Sequence, residues 1–478
     1  MTINDIRFLS STDQIPRTVL YQFAAALQLS HPDCIVQAVY DIFLSMRKPM
    51  LLTILSLTIL LCSCEAVSKT TAVPETSEKP SEETPIVLDG SGRSVEQETP
   101  EKEEGDVINI PTEETLPEPP SEVEVPEEEE PPSFEGYVLS EEDVSENGIY
   151  LKSVKEPGKV VIDFAGDINF DDRYAIMNSL RSRGGGISTS IDPVLIKRSN
   201  DADIFMINNE FPYSNRGTPL PNKKFTFRAR PETVNYMKDL GADIVSLANN
   251  HAFDHGEEAL LDTFDTLDDA GIPYVGAGHN LEEAMKPVYF IAGGMKIAFV
   301  SATQIERSLP PDTREATDDS PGVLRTLDPE KFLTVIRNAK ENSDFVIAYV
   351  HWGSENTNIY EAAQTELAKV YVDAGADLII GDHPHVLQGI TYIGDVPVLY
   401  SLGNYWFSSK TLDSCLVEAV IKDKRLESLQ FIPCLQKGCY THALSPGSGE
   451  YAGVLEKMRN WSTDNVDIAG DGFIRKRQ

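Results

Sequence analysis

The chain has 478 residues, with 41 Lys and Arg against 76 Asp and Glu and a formal net charge of −35. No basic stripe interleaved with aromatic residues runs along it, so neither the composition nor its pattern offers a nucleic-acid-binding surface. The length admits two or three domains, but the charge is so unevenly spread that it divides the chain before any motif does.

Residues 1–45 precede a segment that reads as the start of a secreted protein, so they are expected to be a non-native extension with the true start at Met46. "MRKPMLLTILSLTILLCSCEA", beginning at Met46, has basic Arg47 and Lys48, an apolar run over 50–61, and then small residues. This is the layout of a signal peptide, expected over 46–64. The apolar run is shorter than the about 20 residues a membrane-spanning helix needs. It closes on "LCSC" at 61–64, which resembles a bacterial lipobox. That resemblance implies lipidation of Cys64 and anchoring at the extracellular face of the cell membrane.

A disordered tether is expected next, over 65–150. Between Glu65 and Glu146 there are 26 acidic residues against 4 basic ones, a net of −22, among many Pro, Ser and Thr. Such a stretch cannot bury enough apolar surface to offset its chain entropy, and its like charges extend it.

From 151 onward the chain becomes globular. "KVVIDFAGD" (159–167), "ADIFMINNE" (202–210), "ADIVSLANNH" (242–251), "SDFVIAYVHWG" (343–353) and "ADLIIGDHPH" (376–385) each place a polar cluster directly after an apolar run. Runs of this kind suit strands covered on both faces. Helical stretches alternate with them at 231–241, 257–271 and 361–375, each closing on Gly. The succession predicts an α/β layered fold, in which strand C-termini share one edge where ligands bind. "CLVEAVIKD" and "LESLQFIPCL" read as two closing strands, ending the domain near residue 440. Residues 441–478 read as a loop and a helix. Cys434 and Cys439 are spaced to close a small loop or to stand as unpaired buried thiols.

The five clusters supply Asp167 and Asn169; Asn208 and Glu210; Asn250, His251, Asp254 and His255; His351; and Asp382, His383 and His385. Alone, each has an ordinary reading as a cap, a turn former or a hydrogen-bonded histidine. Together, His251, His351, His383 and His385 make half of the eight histidines, which points to a shared metal or catalytic site. Mixed imidazole, carboxylate and amide oxygen suit one or two divalent ions of Mn, Zn, Fe or Mg, with a carboxylate able to bridge a pair. Arg228, in "FTFRARP", could hold an anionic substrate or simply be a surface arginine.

"FAGDINF", "NNEFP", "SLANNHAFDHG", "HWGSE", "GDHPH" and "YSLGNYWF", in that order, resemble the CapA family of poly-γ-glutamate capsule proteins, within the calcineurin-like metallophosphoesterase superfamily. The resemblance covers roughly 158–410 and implies a metallophosphatase-like four-layer αββα sandwich. It implies metal ligation by Asp167, Glu210, Asn250, His351, His383 and His385, with Glu210 bridging. His251 then resembles the residue that protonates the leaving group, and Asp254 its orienting partner or a further ligand. Asn169 stands where the superfamily has a histidine, which weakens one of the two metal positions. The function implied is an envelope-anchored hydrolase or transferase acting on a surface polyanion such as poly-γ-glutamate, in company with capsule assembly proteins. A non-catalytic polymer-binding component of an export assembly and a generic secreted phosphoesterase are the alternatives.

Overall fold

The computed structural model describes residues 133–138, 148–305 and 313–478. The expected extension, the signal segment, Cys64 and most of the expected tether lie outside these residues. Two sheets carry the fold. The first contains β1 (Lys159–Ile168), β2 (Ile204–Asn209) and β3 (Ile244–Ser246), all parallel. The second contains β4 (Met295–Thr303), β5 (Phe345–His351) and β6 (Leu378–Asp382), also parallel. The chain then returns to the first sheet. There β7 (Asn404–Trp406) and β8 (Leu412–Lys422) both pair with β1, and β9 (Arg425–Lys437) pairs antiparallel with β8.

The two sheets face each other across a shared apolar layer. Ile162 and Phe164 of β1 and Met206 of β2 meet Phe299 of β4, Ile347 of β5 and Ile380 of β6 there. The alternate residues of β2, Phe205 and Ile207, point outward onto α1 (Ala175–Ser182), α2 (Pro193–Asp201), α3 (Val234–Leu240) and α4 (Glu257–Ala270). Val346, Ala348 and Val350 of β5 point onto α5 (Glu330–Glu341) and α6 (Ala362–Ala374). The order of layers is therefore αββα. It explains why these strands read as unbroken apolar runs, since both of their faces are buried.

An aspartate sets the register at the start of four parallel pairings. Asp203, Asp243, Asp344 and Asp377 each donate a main-chain N–H to the neighbouring strand, at 2.8, 2.9, 2.8 and 2.8 Å. Each then accepts the same neighbour's N–H on its carboxylate, from Val161, Phe205, Lys296 and Val346 at 2.8, 2.9, 2.9 and 2.9 Å. A strand-end donor is thereby satisfied without water, and the paired contact resists a register slip that would turn every side chain over. Fixed register in turn fixes where each strand ends, which lets the polar residues beyond them converge.

Two stretches differ from the sequence reading. A short hairpin, Ser133–Phe134 with Tyr137–Val138, and the strand Ile149–Lys152 both begin within the expected tether. The Tyr137 hydroxyl donates to Asp344 at 3.1 Å, and the Gly294 N–H donates to Glu135 at 2.6 Å. Phe134 and Tyr137 supply packing surface here that the charge count hides. At the other end, α7 (Gly449–Trp461) buries Tyr451, Val454, Leu455 and Met458 in the inter-sheet layer. Strands Val466–Ile468 and Phe473–Lys476 extend the first sheet beyond β9. Residues 441–478 thus complete the core, through strands of three and four residues, too short for an alternating pattern to announce them. Cys415, Cys434 and Cys439 are free and buried. Among the described residues no helix is long and apolar enough to cross a membrane.

Candidate metal centre

β1 reaches the site through a very close passage. A β-carbon on Gly166 would lie 1.9 Å from the Gly403 carbonyl oxygen, so only glycine fits. The next residue, Asp167, donates its N–H to that same carbonyl at 3.0 Å. Asp167 is thereby fixed near the strand end, beside Glu210 after β2, Asn250 after β3, His351 at the end of β5, and His383 and His385 after β6. His383 and His385 have φ of 95° and 58°. A non-glycine residue at positive φ is held there by its surroundings, and such strain collects at functional sites.

These side chains point to one place. A ligand atom from each of Glu210, His351 and His383 lies within 4.8 Å of the others, and the same is true of Asp167, Glu210 and His385. Glu210 belongs to both groups, the position a bridging carboxylate needs. It is fully buried, yet neither carboxylate oxygen has a hydrogen-bond donor among the described residues. Burial, and after it the charges of Asp167 and Asp382, push the Glu210 carboxyl well above the usual carboxylate range. Burial and Asp167 do the same to Asp382. Burial also opposes ionisation of Asp167, but the hydrogen bond and charge of His385, with His351 and Asn208 behind them, hold it below that range.

His351 is the sharpest test of what fits here. Burial pushes its pKa down to about 3, so the ring is neutral and carries one N–H. Asp382 lies 3.0 Å from Nδ1, so a proton on that nitrogen would leave Nε2 to act as a ligand. Nε2 faces Asn250 Oδ1 at 2.8 Å, His383 Nδ1 at 3.0 Å and Glu210 Oε1 at 3.6 Å. Two imidazole nitrogens, an amide oxygen and a carboxylate without donors, gathered this closely, form a ligand set for a divalent cation. The surroundings of His385 are similar. Its Nδ1 lies 3.0 Å from Asp167 Oδ2 and 2.9 Å from Asn404 Oδ1, and its Nε2 lies 4.0 Å from Glu210. The residues present therefore fit a metal pair sharing Glu210.

A second group borders the first. His251 Nδ1 lies 2.6 Å from Asp254 Oδ2, leaving Nε2 turned toward Glu210 Oε1 at 3.9 Å. Burial lowers the His251 pKa, and Asp254 only partly offsets it. The resting imidazole is therefore neutral at neutral pH, with an accepting Nε2. The acid role implied by the resemblance thus requires that His251 first collect a proton.

Residues 161–409 match the family described as bacterial capsule synthesis protein PGA_cap. The chain belongs to this family. It is 35% identical over 227 residues to the capsule biosynthesis protein CapA of Bacillus anthracis, covering 45% of this chain and 54% of that one. It is 32% identical over 263 residues to the PGA biosynthesis protein CapA of Bacillus subtilis (strain 168), covering 54% of this chain and 67% of that one. A probable polyglutamine synthesis accessory protein of Mycobacterium tuberculosis is 28% identical over 219 residues, covering 45% and 58%. The match thus spans about half to two thirds of the length of these relatives.

Within this PGA_cap domain, a cleft of about 260 Å³ opens beside the candidate ligands, lined by Tyr174, Phe227, His251, His385, Asn404 and Phe407, with Glu355, Asn356 and Lys410 also on its walls. Arg228 does not line it. Its guanidinium donates to the main-chain carbonyls of Arg216 and Gly217 at 2.9 and 3.4 Å, so it braces a loop and does not reach a substrate in the cleft. Asn169 is also committed elsewhere, its Oδ1 accepting the Asp171 N–H at 2.7 Å. Three residues that the sequence leaves without a role surround the candidate ligands. Asp382 orients His351, Asn404 contacts His385, and Asn208 donates to Asp167 at 2.9 Å. Asn404 and Asp382 stand in "YSLGNYWF" and "GDHPH", but only the fold shows what they touch.

His255, four residues beyond His251, gives a separate prediction. It is 2% exposed, and neither ring nitrogen has a hydrogen-bond partner among the described residues. Burial, followed by the charges of Arg228 and Arg173, pushes its pKa from 6.5 down to about 4. Between these two values the unfolded chain binds a proton that the native chain excludes. Stability is therefore present above this window and lost as pH falls through it, with a slope of at most about 1.4 kcal/mol per pH unit. Urea unfolding of His255→Gln is expected to show a flatter pH dependence across this window than the parent. Parallel curves would contradict the assignment.

Proposed function

We propose that this PGA_cap domain is a metal-dependent hydrolase or transferase acting in the synthesis or processing of poly-γ-glutamate, a surface polyanion. The observation that carries the reading is Glu210: a fully buried carboxylate, shared by two groups of candidate ligands, with no donor to either oxygen among the described residues. A surface that only binds polymer gains nothing from burying three carboxylates among imidazoles, since unpaired buried charge is costly. Family membership and the names of the Bacillus relatives supply the substrate class.

In this reading Asp167, Glu210 and His385 would hold one ion and Glu210, Asn250, His351 and His383 the other, with Mn, Zn, Fe or Mg as the candidates. The metal, when bound, supplies a Lewis acid that polarises a phosphoryl or carbonyl oxygen and makes water a nucleophile near neutral pH. Asp382 and Asn404 aim the imidazoles at the ligand positions. His251 takes up a proton from solvent at Nε2 and gives it to the departing group, while Asp254 steadies the ring through Nδ1. Phe227 packs against His251 with ring centroids 4.2 Å apart, and Phe407 against His385 at 4.6 Å, which keeps bulk water from one side of each ring.

The deciding variant is His383→Ala. It should lose metal and any hydrolysis of a chromogenic phosphodiester or of poly-γ-glutamate, and a variant that keeps both would sink the assignment. We also propose that the domain works at the outer face of the cell membrane, held by a lipid on Cys64 and near other capsule assembly proteins. The support for the anchor is the signal-like segment at 46–64. Cys64→Ser should release the protein from the membrane fraction, and unchanged fractionation would refute it.

A further inference from the structure

The loop over 214–229 is built around Asp254. The Leu220 N–H donates to the Asp254 carbonyl at 2.8 Å, the Thr218 N–H to the His255 carbonyl at 3.1 Å, and the Phe227 N–H to Asp254 Oδ2 at 2.6 Å. Lys223, from the same loop, is drawn inward. Its side chain is 5% exposed, its Nζ lies 2.6 Å from Asp254 Oδ1, and it also donates to the main-chain carbonyl of Asn250. Burying a lysine ammonium is costly unless it is paired and hydrogen-bonded. Here the pairing is with the carboxylate that orients His251.

The use of Asp254 is divided between its two oxygens. Oδ1 takes Lys223, and Oδ2 takes the Phe227 N–H and His251 Nδ1. With Oδ1 occupied, the carboxylate cannot rotate without breaking a close ion pair, so Oδ2 stays aligned with the imidazole and the proton stays on Nδ1. Nε2 is then kept free and turned to the candidate metal ligands. We propose that Lys223 is a positioning residue that fixes the tautomer and orientation of His251 through Asp254. This rests on the reading of His251 as the proton carrier of a hydrolytic site.

The test uses the full chain loaded with manganese and compares parent, Lys223→Met, His251→Ala and the double variant. On a methyl phosphodiester, whose leaving group needs a proton, Lys223→Met should lower kcat about 10–100-fold with little change in KM, the size typical of residues that orient a reactive group. On a p-nitrophenyl ester, whose leaving group does not, the loss should be clearly smaller. Adding Lys223→Met to His251→Ala should cost less than about 2-fold more, because both act through one group. Multiplicative losses, or a loss of bound manganese that accounts for the lost rate, would overturn the proposal.

A second measurement does not depend on turnover. With histidine labelled by nitrogen-15, long-range proton–nitrogen spectra should show His251 as the Nδ1–H tautomer in the parent and as a mixture in Lys223→Met. A single unchanged tautomer overturns the proposal. If the parent hydrolyses no ester, the hydrolytic reading fails, while these spectra still decide what Lys223 does. Should Lys223→Met not fold, Lys223→Gln, which keeps a donor but not the charge, is read in the same way.

Discussion

Replacing Glu210 by glutamine is expected to move stability and activity in opposite directions. Without metal, Glu210 is buried among Asp167, Asp382 and imidazoles, with no donor to its oxygens among the described residues and its carboxyl pushed well above the ordinary range. An amide of nearly the same shape removes the like-charge conflict and brings an NH₂ group that the neighbouring carboxylates can accept. The metal-free variant should therefore resist urea better than the metal-free parent, by about 1–2 kcal/mol, in the range of other substitutions that relieve a functional site. The loaded protein should show the reverse. A neutral amide bridges two cations poorly, so added metal should stabilise the variant much less than the parent. Hydrolysis should fall by on the order of 10³ or more, since several kcal/mol of charge stabilisation depend on the ions being held. A variant that loses stability without metal, or keeps full activity with it, would mean that Glu210 is an ordinary buried acid.

The second large effect concerns His251. In His251→Asn the candidate ligands are untouched, so bound metal should match the parent. The rate on an alkyl ester should fall by about 10²–10⁴-fold, the usual contribution of a positioned proton carrier. On a p-nitrophenyl ester it should fall far less, because that leaving group departs without a proton. The neutral resting state of His251 shapes the expectation: Nε2 must gain a proton before it can give one, so the loss is confined to esters whose leaving group needs that proton. Equal losses on both esters would instead mark His251 as a structural or ligating residue.

Much of the fold could be read from the chain because burial imposes it. Strands covered on both faces have to be continuous apolar runs. Helices between them stop at residues such as Gly241 and Gly271, whose φ of 77° and 69° suit glycine. The convergence of Asp167, Glu210, Asn250, His351, His383 and His385 was legible for a related reason: all of them sit where strands end, and those ends share an edge. Residues whose work depends on tertiary contact were not legible. Lys223 lies in "PNKKFTF", where nothing separates a buried ammonium from the lysine beside it. Arg228 follows in the same loop, and the sequence could not say that its guanidinium would turn to the carbonyls of Arg216 and Gly217. The aspartates that lock strand register are visible as a recurring Asp before four of the apolar runs, yet their carboxylates bond to strands far away in sequence. The hairpin over 133–138 escaped because its two aromatic residues stand in a strongly acidic stretch, where composition outweighed them.

The most direct test of the central claim is the metal content of the purified chain, measured by elemental analysis after saturation with manganese or zinc and removal of loosely held ions, in the parent, Glu210→Gln and His383→Ala. The parent should retain at least one ion per chain, and both variants should lose most of it while remaining folded. A parent that retains none, or variants that retain as much as the parent, would contradict a metal centre built on Glu210.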